Sequence, residues 1–264
     1  MQFEAKVREF EATVTGKEQI TPEIIKLTLT APEDFSFIPG QFVVFVIERD
    51  GVKKPRSYSI FDSELKGNEL QEGLVEKKPA SRNKKKQKTG GSEDKFDNKL
   101  GFIIKIIEGG FAGGKFKELK LGDKLEVKGP FGHFVFDEQS KNEEHWFIGC
   151  GCGLAPLYNM ITANVAKFPR RKFVLLVSVK TKKDLIFHDL LLEMEKKHAN
   201  FKYIPSLTRE EWAGKTGRVQ RHLPESAQGK TFYICGMAGM VSAVKEHLLN
   251  SGVKPEDIKF ERYS

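Results

Sequence analysis

Cysteine is scarce in this chain of 264 residues, which contains only Cys150, Cys152 and Cys235. So few cysteines exclude a disulfide framework, and an odd number fits free thiols in a reducing compartment. Cys150 and Cys152 form a Cys-x-Cys pair. Such a pair alone falls short of a zinc or iron–sulfur ligand set, so we expect no metal.

Long apolar runs are also missing, and the longest are too short to span a bilayer. Residues 1–10 include four charged side chains and no apolar stretch, which argues against an ordinary signal peptide. Together with the free thiols, these absences predict a cytoplasmic protein without a membrane span. The six histidines are dispersed along the chain, so none is assigned a role.

Charge is abundant but concentrated in one segment. The net charge is +8, and residues 76–99 hold nine lysines and arginines against four acids. The wider segment 64–99 is poor in apolar residues and cannot bury enough surface to offset its ordering entropy, so we expect a basic, mobile insertion. It lacks interleaved aromatic residues, which argues against nucleic-acid binding. The insertion either attracts an acidic partner protein or is a solvated loop.

The first half of the chain is rich in strand patterns. Turn signals such as Pro39-Gly40, Asp50-Gly51 and Gly129-Pro130 separate them. The predicted strands cover 3–15, 23–30, 41–48, 54–61, 100–107 and 124–128, with one short helix over 116–120. Six strands with little helix predict a small antiparallel barrel, which we assign to a domain over residues 1–140.

After residue 140 the pattern changes to strands that alternate with helices. The strands are predicted over 146–150, 172–179, 201–205, 231–235 and 258–263, and the helices over 155–167, 184–198 and 239–250. This alternation predicts a second domain, residues 141–264, with a five-stranded parallel sheet covered on both faces. Ligands of such sheets bind at the carboxyl ends of the strands. The segments 151–156, 180–184, 206–209 and 236–237 should therefore meet at one edge.

Two short motifs point to nucleotide chemistry. Arg56-Ser57-Tyr58-Ser59 lies on a predicted strand, where alternation places Arg56 and Tyr58 on one face and Ser59 on the other. Gly151–Pro156 reads as a strand–turn–helix junction, where backbone amides can meet a phosphate. Taken alone, the first motif also fits an ordinary edge strand. Two nucleotide sites on one chain indicate electron transfer between them.

The order of several signatures carries a family resemblance. They are Pro39-Gly40-Gln41-Phe42, Arg56-Ser57-Tyr58-Ser59, Gly109-Gly110, Gly122-Asp123, Gly129-Pro130-Phe131-Gly132, Gly151–Pro156 and Cys235-Gly236. In this order the chain resembles the ferredoxin–NADP⁺ reductase superfamily, which includes cytochrome b5 reductases and oxygenase reductases. The resemblance covers nearly the whole chain except the insertion. It implies an FAD-binding barrel followed by an NAD(P)-binding domain.

The resemblance places the FAD site at two segments of the barrel, residues 56–59 and 110–113, and at Tyr263. Arg56 would pair with the FAD diphosphate, Tyr58 would lie against the flavin, and Ser59 would hydrogen-bond near flavin N5. The implied FAD-binding residues are Arg56, Ser57, Tyr58, Ser59, Gly110, Phe111, Ala112, Gly113 and Tyr263. Relatives commonly have a Ser or Thr where this chain has Gly113, which leaves the choice of flavin open. Tyr263 either shields a flavin face or closes the sheet edge.

The nicotinamide site and the hydride path follow from the same resemblance. The implied NAD(P)-binding residues are Gly151, Cys152, Gly153, Leu154, Ala155, Pro156, Thr208, Arg209, Gly236 and Met237. Cys152 replaces the usual Thr of the turn. Ser59, Cys235 and Glu261 would be the catalytic residues that frame the hydride path. Cations on the loops near Thr208 and Arg209 favour NADPH, but such loops are commonly just solvated, so NADH stays open.

The sequence thus predicts an FAD-dependent NAD(P)H oxidoreductase. Hydride passes from NAD(P)H to FAD, and single electrons then pass to a protein acceptor of the ferredoxin, flavodoxin or oxygenase type. Any iron–sulfur or haem centre would be on a partner chain, since no ferredoxin-type cysteine cluster is present. The alternative is a flavin-binding electron-transfer or regulatory subunit with little NAD(P)H turnover of its own.

Overall fold

The structure is a computed structural model that describes residues 5–64 and 98–263. Residues 1–4, 65–97 and 264 lie outside this description, and so does nearly all of the insertion predicted over 64–99. Its two ends are described: Glu64 closes one strand, and Asn98 and Lys99 open the next. No helix in the described ranges is long and apolar enough to cross a membrane.

The first half of the chain forms a closed antiparallel barrel of six strands, as predicted. Around the barrel the order is β1-β2-β5-β4-β3-β6. The strands are β1 (Arg8–Thr21), β2 (Ile24–Ala31), β3 (Phe42–Arg49), β4 (Val52–Glu64), β5 (Asn98–Lys105) and β6 (Lys124–Phe131). Burial alternates along β2, so one face of the strand enters the barrel core and the other meets solvent.

Some predicted ends in the barrel are wrong. β1 runs to Thr21 rather than 15, because residues up to Thr21 pair with β2 in a long hairpin. The short helix α1 (Gly113–Glu118) ends before the predicted 120, because Leu119 turns to an extended conformation and buries its side chain. Local apolar patterns locate such elements but do not fix where tertiary pairing ends them.

The second half forms a parallel sheet of six strands in the order β10-β9-β8-β7-β11-β12. They are β7 (Glu144–Gly149), β8 (Lys172–Val179), β9 (Phe201–Leu207), β10 (Lys215–Thr216), β11 (Lys230–Met237) and β12 (Ile258–Tyr263). Five of them are the predicted strands. The sixth, β10, has only two residues at the sheet edge, too short for a hydrophobic pattern to reveal.

Three helices accompany this sheet: α2 (Leu154–Asn164), α3 (His188–Lys197) and α4 (Ala238–Asn250). The predicted α2 and α3 were longer; residues 182–184 instead form a separate 3₁₀ turn before α3. β7 and β8 are buried along nearly their whole length, unlike β2. Continuous burial is what a parallel sheet covered on both faces requires.

The barrel and the sheet meet in a shared apolar core. Phe61 of β4 stacks between Tyr158 of α2 and Phe187, with ring centroids 4.4 and 4.9 Å away. The Asn159 side-chain amide donates a buried hydrogen bond of 3.0 Å to the Phe61 carbonyl. On the barrel side of this stack Lys26 forms an ion pair with Asp62. These contacts fix the end of β4 against α2.

A buried histidine in the sheet makes the stability of the folded protein depend on pH. His145 of β7 is fully buried among aromatic rings, and neither of its ring nitrogens has a hydrogen-bond partner among the described residues. Burial, helped by the nearby charge of Arg171, lowers the pKa of His145 from 6.5 to about 4. The folded protein therefore holds this ring neutral through the mildly acidic range.

We expect the free energy of unfolding to fall as the pH drops from 6.5 to 4. In that window the unfolded chain protonates His145 and the folded protein does not, which costs about 3 kcal/mol by pH 4. Urea unfolding at pH 7 and at pH 4.5 measures the loss. His145→Leu should flatten this dependence, whereas His247→Leu, at an exposed position of α4, should not. An equal pH dependence in the wild type and His145→Leu contradicts the assignment.

Candidate functional site

The strand β4 presents its motif as the alternation predicts. Arg56 and Tyr58 pair with Phe45 and Val43 of β3, and Ser59 is buried on the opposite face. The Arg56 guanidinium lies 5.5 Å from the Phe111 ring centroid and donates 2.8 Å to the Pro55 carbonyl. Within the described ranges no carboxylate pairs with Arg56. Most of its donor fork is therefore free for an anion.

Tyr58 is held by rings of the barrel. It stacks on Phe45 at 5.0 Å and meets Phe116 edge-on at 5.2 Å. Burial raises the pKa of Tyr58 to about 12, against a smaller opposing effect of the Arg56 charge. The phenol is therefore neutral at physiological pH, and Phe116 connects it to the glycine-rich segment before α1.

That glycine-rich segment, residues 109–114, packs closely on Ile107, just after the end of β5. The Gly110 amide donates 3.0 Å to the Ile107 carbonyl, and a Cβ at Gly113 would clash with the same carbonyl oxygen. Lys54 and Arg56 both place their cations over the ring of Phe111, which follows Gly110. The first turn of a helix also leaves its amides without intrahelical acceptors, here from Ala112 onward. Cations and free amides of this kind suit an anionic diphosphate.

Ser59 joins a cluster built from the far end of the chain. Its hydroxyl donates 3.2 Å to Glu261 Oε1 and lies 2.7 Å from the Tyr263 hydroxyl. Since the single Ser59 proton goes to the carboxylate, Tyr263 donates to Ser59. Register places Cys235 of β11 beside Glu261 of β12. The three predicted catalytic residues and Tyr263 thus come together.

Burial sets the protonation of this cluster. It raises the pKa of the Glu261 carboxyl, while the Ser59 hydrogen bond opposes the shift. It also raises the pKa of the Cys235 thiol and of the Tyr263 phenol well above their usual range. Cys235 and Tyr263 are therefore neutral at physiological pH. An uncharged hydroxyl and a half-buried phenol, beside the buried Cys235 thiol, suit contact with flat aromatic rings.

The turn after β7 approaches the end of β11 very closely. Residues Gly151–Gly153 form a 3₁₀ turn in which Gly151 has φ +53°. A Cβ at Gly153 would clash with the Cys235 carbonyl, and one at Gly236, with φ +145°, would lie 2.6 Å from Cys150 Sγ. Glycine is therefore required at both positions, because the ends of the two strands pack closely against each other.

The other predicted residues of this turn can contribute only through the backbone. The side chains of Leu154 and Ala155 are buried in the core, and Pro156 is buried and has no amide hydrogen. Met237, in contrast, is 67% exposed at the end of β11. Its side chain is therefore accessible, unlike those of Leu154, Ala155 and Pro156.

Cys152 lies against the barrel. Burial raises its pKa to about 12, while the charge and backbone amide of Lys105 act in the opposite direction. Lys105 ends β5 and forms an ion pair of 2.9 Å with Glu23. The sequence reasoning missed Lys105, because nothing local shows that the end of a barrel strand reaches the turn of the second domain.

The loops after β8 and β9 hold the remaining predicted residues. Thr208 donates from its amide (2.9 Å) and its hydroxyl (3.2 Å) to the Val179 carbonyl. The Arg209 amide donates 2.9 Å to the Lys180 carbonyl. Both side chains are exposed. These residues lie at the same sheet edge as the turn after β7 but do not contact the Ser59 cluster.

Comparison with known protein families identifies the class of protein to which this chain belongs. The family described as "Oxidoreductase FAD-binding domain" matches residues 74–136, and "Oxidoreductase NAD-binding domain" matches residues 147–246. The chain therefore combines FAD-binding and NAD-binding oxidoreductase domains. With its barrel followed by a parallel sheet, it belongs to the ferredoxin–NADP⁺ reductase superfamily.

Relatives of this chain are oxidoreductases and their components. It is 26% identical to the phenol 2-monooxygenase reductase component of Pseudomonas sp. (strain CF600), over 97% of this chain and 66% of that protein. It is 26% identical to ferredoxin–NADP reductase B of Sorangium cellulosum, over 96% of this chain and 97% of that protein. It is also 30% identical to NADH-cytochrome b5 reductase 1 of Kluyveromyces lactis, over 57% of this chain and 56% of that protein. The chain thus spans less than two thirds of the phenol and cytochrome b5 relatives.

Solved structures share the fold. An Amycolatopsis cytochrome P450 reductase, GcoB, matches with a TM-score of 0.78 and 24% identity, over 99% of this chain and 71% of that one. A ferredoxin NADP⁺ reductase from Neisseria gonorrhoeae, with bound FAD and NADP, matches with a TM-score of 0.73 and 20% identity, over 96% and 98% of the two chains. At these identities the likeness concerns the fold.

Proposed function

We propose that this protein is an FAD-dependent NAD(P)H oxidoreductase that passes electrons to a protein acceptor. The observation that carries the proposal is the cluster of buried Ser59 with half-buried Glu261 and Tyr263, beside the buried Cys235. It lies where β4 of the barrel meets the carboxyl ends of β11 and β12. A flavin held by the barrel and a nicotinamide held by the sheet would meet there.

The barrel residues in this proposal bind and orient the flavin nucleotide. Arg56 and the amides of Ala112 and Gly113 hold the diphosphate, beside Gly110 and the cation-flanked ring of Phe111. Tyr58 lies against the flavin, and Ser57, exposed on β4, faces the nucleotide. Bound FAD supplies hydride acceptance at its N5 atom and release of electrons one at a time. We assign these residues to a domain over 1–140.

The sheet residues bind the dinucleotide and exclude water. The turn at Gly151–Gly153 and the end of β11 at Gly236 admit the nicotinamide nucleotide, and Thr208 and Arg209 lie at its adenosine end. Cys235 and Glu261 frame the hydride path, and Ser59 stays fixed by its two hydrogen bonds. Tyr263 covers the cluster and shields the flavin face. We assign these residues, Ser59 excepted, to a domain over 141–264.

The acceptor in this proposal is a small electron carrier or an oxygenase component. This choice draws on the relatives, two of which are named as a monooxygenase reductase component and a ferredoxin–NADP reductase. We also place the protein in the cytoplasm, because its three cysteines are free.

One observation favours a second candidate. The family resemblance implies hydroxyl groups at the positions of Gly113 and Cys152, and the Cys152 sulfur is engaged by Lys105 instead. A flavin-binding subunit with little NAD(P)H turnover would tolerate these losses. Steady-state reduction of ferricyanide separates the two candidates. The oxidoreductase predicts turnover with NADH or NADPH, whereas FAD-loaded protein without turnover contradicts it and supports the regulatory subunit.

We expect Lys105→Gln to raise the KM for the reduced dinucleotide about tenfold, with little change in kcat. The ammonium is paired with Glu23, and its charge still opposes the rise in the pKa of Cys152 in the turn where the proposal places the diphosphate. Its loss should therefore weaken binding by about 1.4 kcal/mol. KM in low and high salt measures the effect, which should shrink as salt screens the charge. Lys99→Gln removes a lysine paired with Glu64 at the other end of β5 and should leave KM unchanged. Equal KM values for the two variants contradict the placement.

A further inference from the structure

The loops after β8 and β9 are joined by a side chain that the sequence reasoning did not single out. Glu210 follows Arg209 and accepts a hydrogen bond of 2.8 Å from the Lys182 amide through its Oε2 atom. Two backbone bonds, from Thr208 to Val179 and from Arg209 to Lys180, hold the same loops together. The Glu210 carboxylate is thus fixed between the two loops, although it is exposed.

Glu210 differs from Asp184, the acid of the loop after β8. Asp184 is used internally, because its Oδ2 atom accepts from both the amide and the hydroxyl of Thr181 at 2.9 Å. Glu210 uses one oxygen for the Lys182 amide. In the part of the chain that the structure describes, its Oε1 atom has no further hydrogen bond. One carboxylate oxygen is therefore free to accept from a ligand.

Topology places this carboxylate at the adenosine end of the proposed dinucleotide site. β8 and β9 follow β7 outward in the sheet, and all three strands end at one edge. A dinucleotide whose diphosphate lies at the turn after β7 extends its adenosine over the ends of β8 and β9. NADH has a hydroxyl at the adenosine 2′ position, which can donate to a carboxylate. NADPH has a phosphate there, which a carboxylate repels.

We propose that Glu210 is a specificity-determining residue that favours NADH over NADPH; this rests on the proposed function. The nearby cations, among them Lys182, Lys183 and Arg209, attract a 2′-phosphate and favoured NADPH in the sequence reasoning. Their side chains are long and exposed, whereas the Glu210 carboxylate is anchored by a hydrogen bond to an amide. Once the Glu210 charge is removed, these cations should act on the 2′-phosphate without opposition.

The test measures binding of 5′-AMP and adenosine 2′,5′-bisphosphate by calorimetry to the FAD-loaded wild type and to Glu210→Gln. The glutamine keeps an oxygen that can accept from the Lys182 amide. We expect Glu210→Gln to tighten binding of the bisphosphate about tenfold while 5′-AMP changes by less than about threefold. Higher salt should reduce the difference in bisphosphate affinity between the wild type and Glu210→Gln. Glu211→Gln removes the same charge from the adjacent exposed residue and should change neither affinity.

Several outcomes overturn the inference. They are an unchanged affinity ratio in Glu210→Gln, an equal effect of Glu211→Gln, or no binding of either nucleotide. A parallel measurement of kcat/KM for NADH and NADPH keeps the inference separate from the proposed function. If neither dinucleotide reduces the flavin but the nucleotides bind with the expected ratio, the oxidoreductase proposal fails and the role of Glu210 stands.

Discussion

Arg56→Ala should weaken FAD binding about a hundredfold, so that the protein loses its flavin on gel filtration. The guanidinium has no carboxylate partner in the described ranges and lies over Phe111 beside the glycine-rich segment. A charge-assisted, two-pronged bond to a diphosphate contributes about 3 kcal/mol, and no neighbouring group has the same geometry. The dissociation constant of FAD, measured by quenching of flavin fluorescence, gives the effect directly.

The matched control for Arg56→Ala is Lys53→Ala. Lys53 lies three residues earlier on β4, and its ammonium is 3.1 Å from Glu126 rather than near the glycine-rich segment. It should leave FAD affinity unchanged. Thermal unfolding of Arg56→Ala without FAD should match that of the wild type without FAD, because an exposed or half-buried arginine adds little to stability. Full FAD affinity in Arg56→Ala contradicts the placement of the diphosphate.

Ser59→Ala should slow the reduction of bound FAD by NAD(P)H about a hundredfold without releasing the flavin. The substitution removes the link between the Tyr263 phenol and the Glu261 carboxyl, so both lose a fixed position at the meeting point of the two rings. Small displacements of reacting groups lower the reaction rate steeply. Stopped-flow absorbance under anaerobic conditions measures the rate.

Ser251→Ala, after the end of α4, is the control and should reduce at the wild-type rate. Measuring the rate against dinucleotide concentration separates weak binding from slow transfer, since positioning by Ser59 affects the limiting rate. Ser59→Thr restores the hydroxyl and should recover part of that rate. A limiting rate in Ser59→Ala equal to that of the wild type would remove Ser59 from the hydride path.

The fold was predictable because its two halves follow different hydrophobic patterns. Residues 23–30 were predicted as a strand of the barrel, and burial alternates along them in the structure; the apolar run in 172–179 was predicted as a strand of a sheet covered on both faces. The edge strand Lys215–Thr216 was missed because two exposed residues carry no pattern. The long β1 hairpin was missed because its end depends on pairing with β2.

The cluster around Ser59 was predictable only through the family resemblance. Ser59 and Tyr263 are separated by 204 residues, and no local pattern brings them within hydrogen-bond distance. Lys105 and Glu210 were not found at all. Both act through contacts between segments far apart in sequence, one with Cys152 and one with the Lys182 amide. Local sequence patterns predict strands and turns, whereas contacts between distant segments depend on how the folded elements pack together.

The central claim is that dinucleotide bound by the sheet reduces flavin bound by the barrel. Anaerobic addition of NADH or NADPH to the FAD-loaded protein, followed by the visible absorbance of the flavin, tests it most directly. We predict that the flavin absorbance falls within seconds of mixing and returns when an electron acceptor is added. Flavin that stays bound and oxidised in excess of both dinucleotides would contradict it.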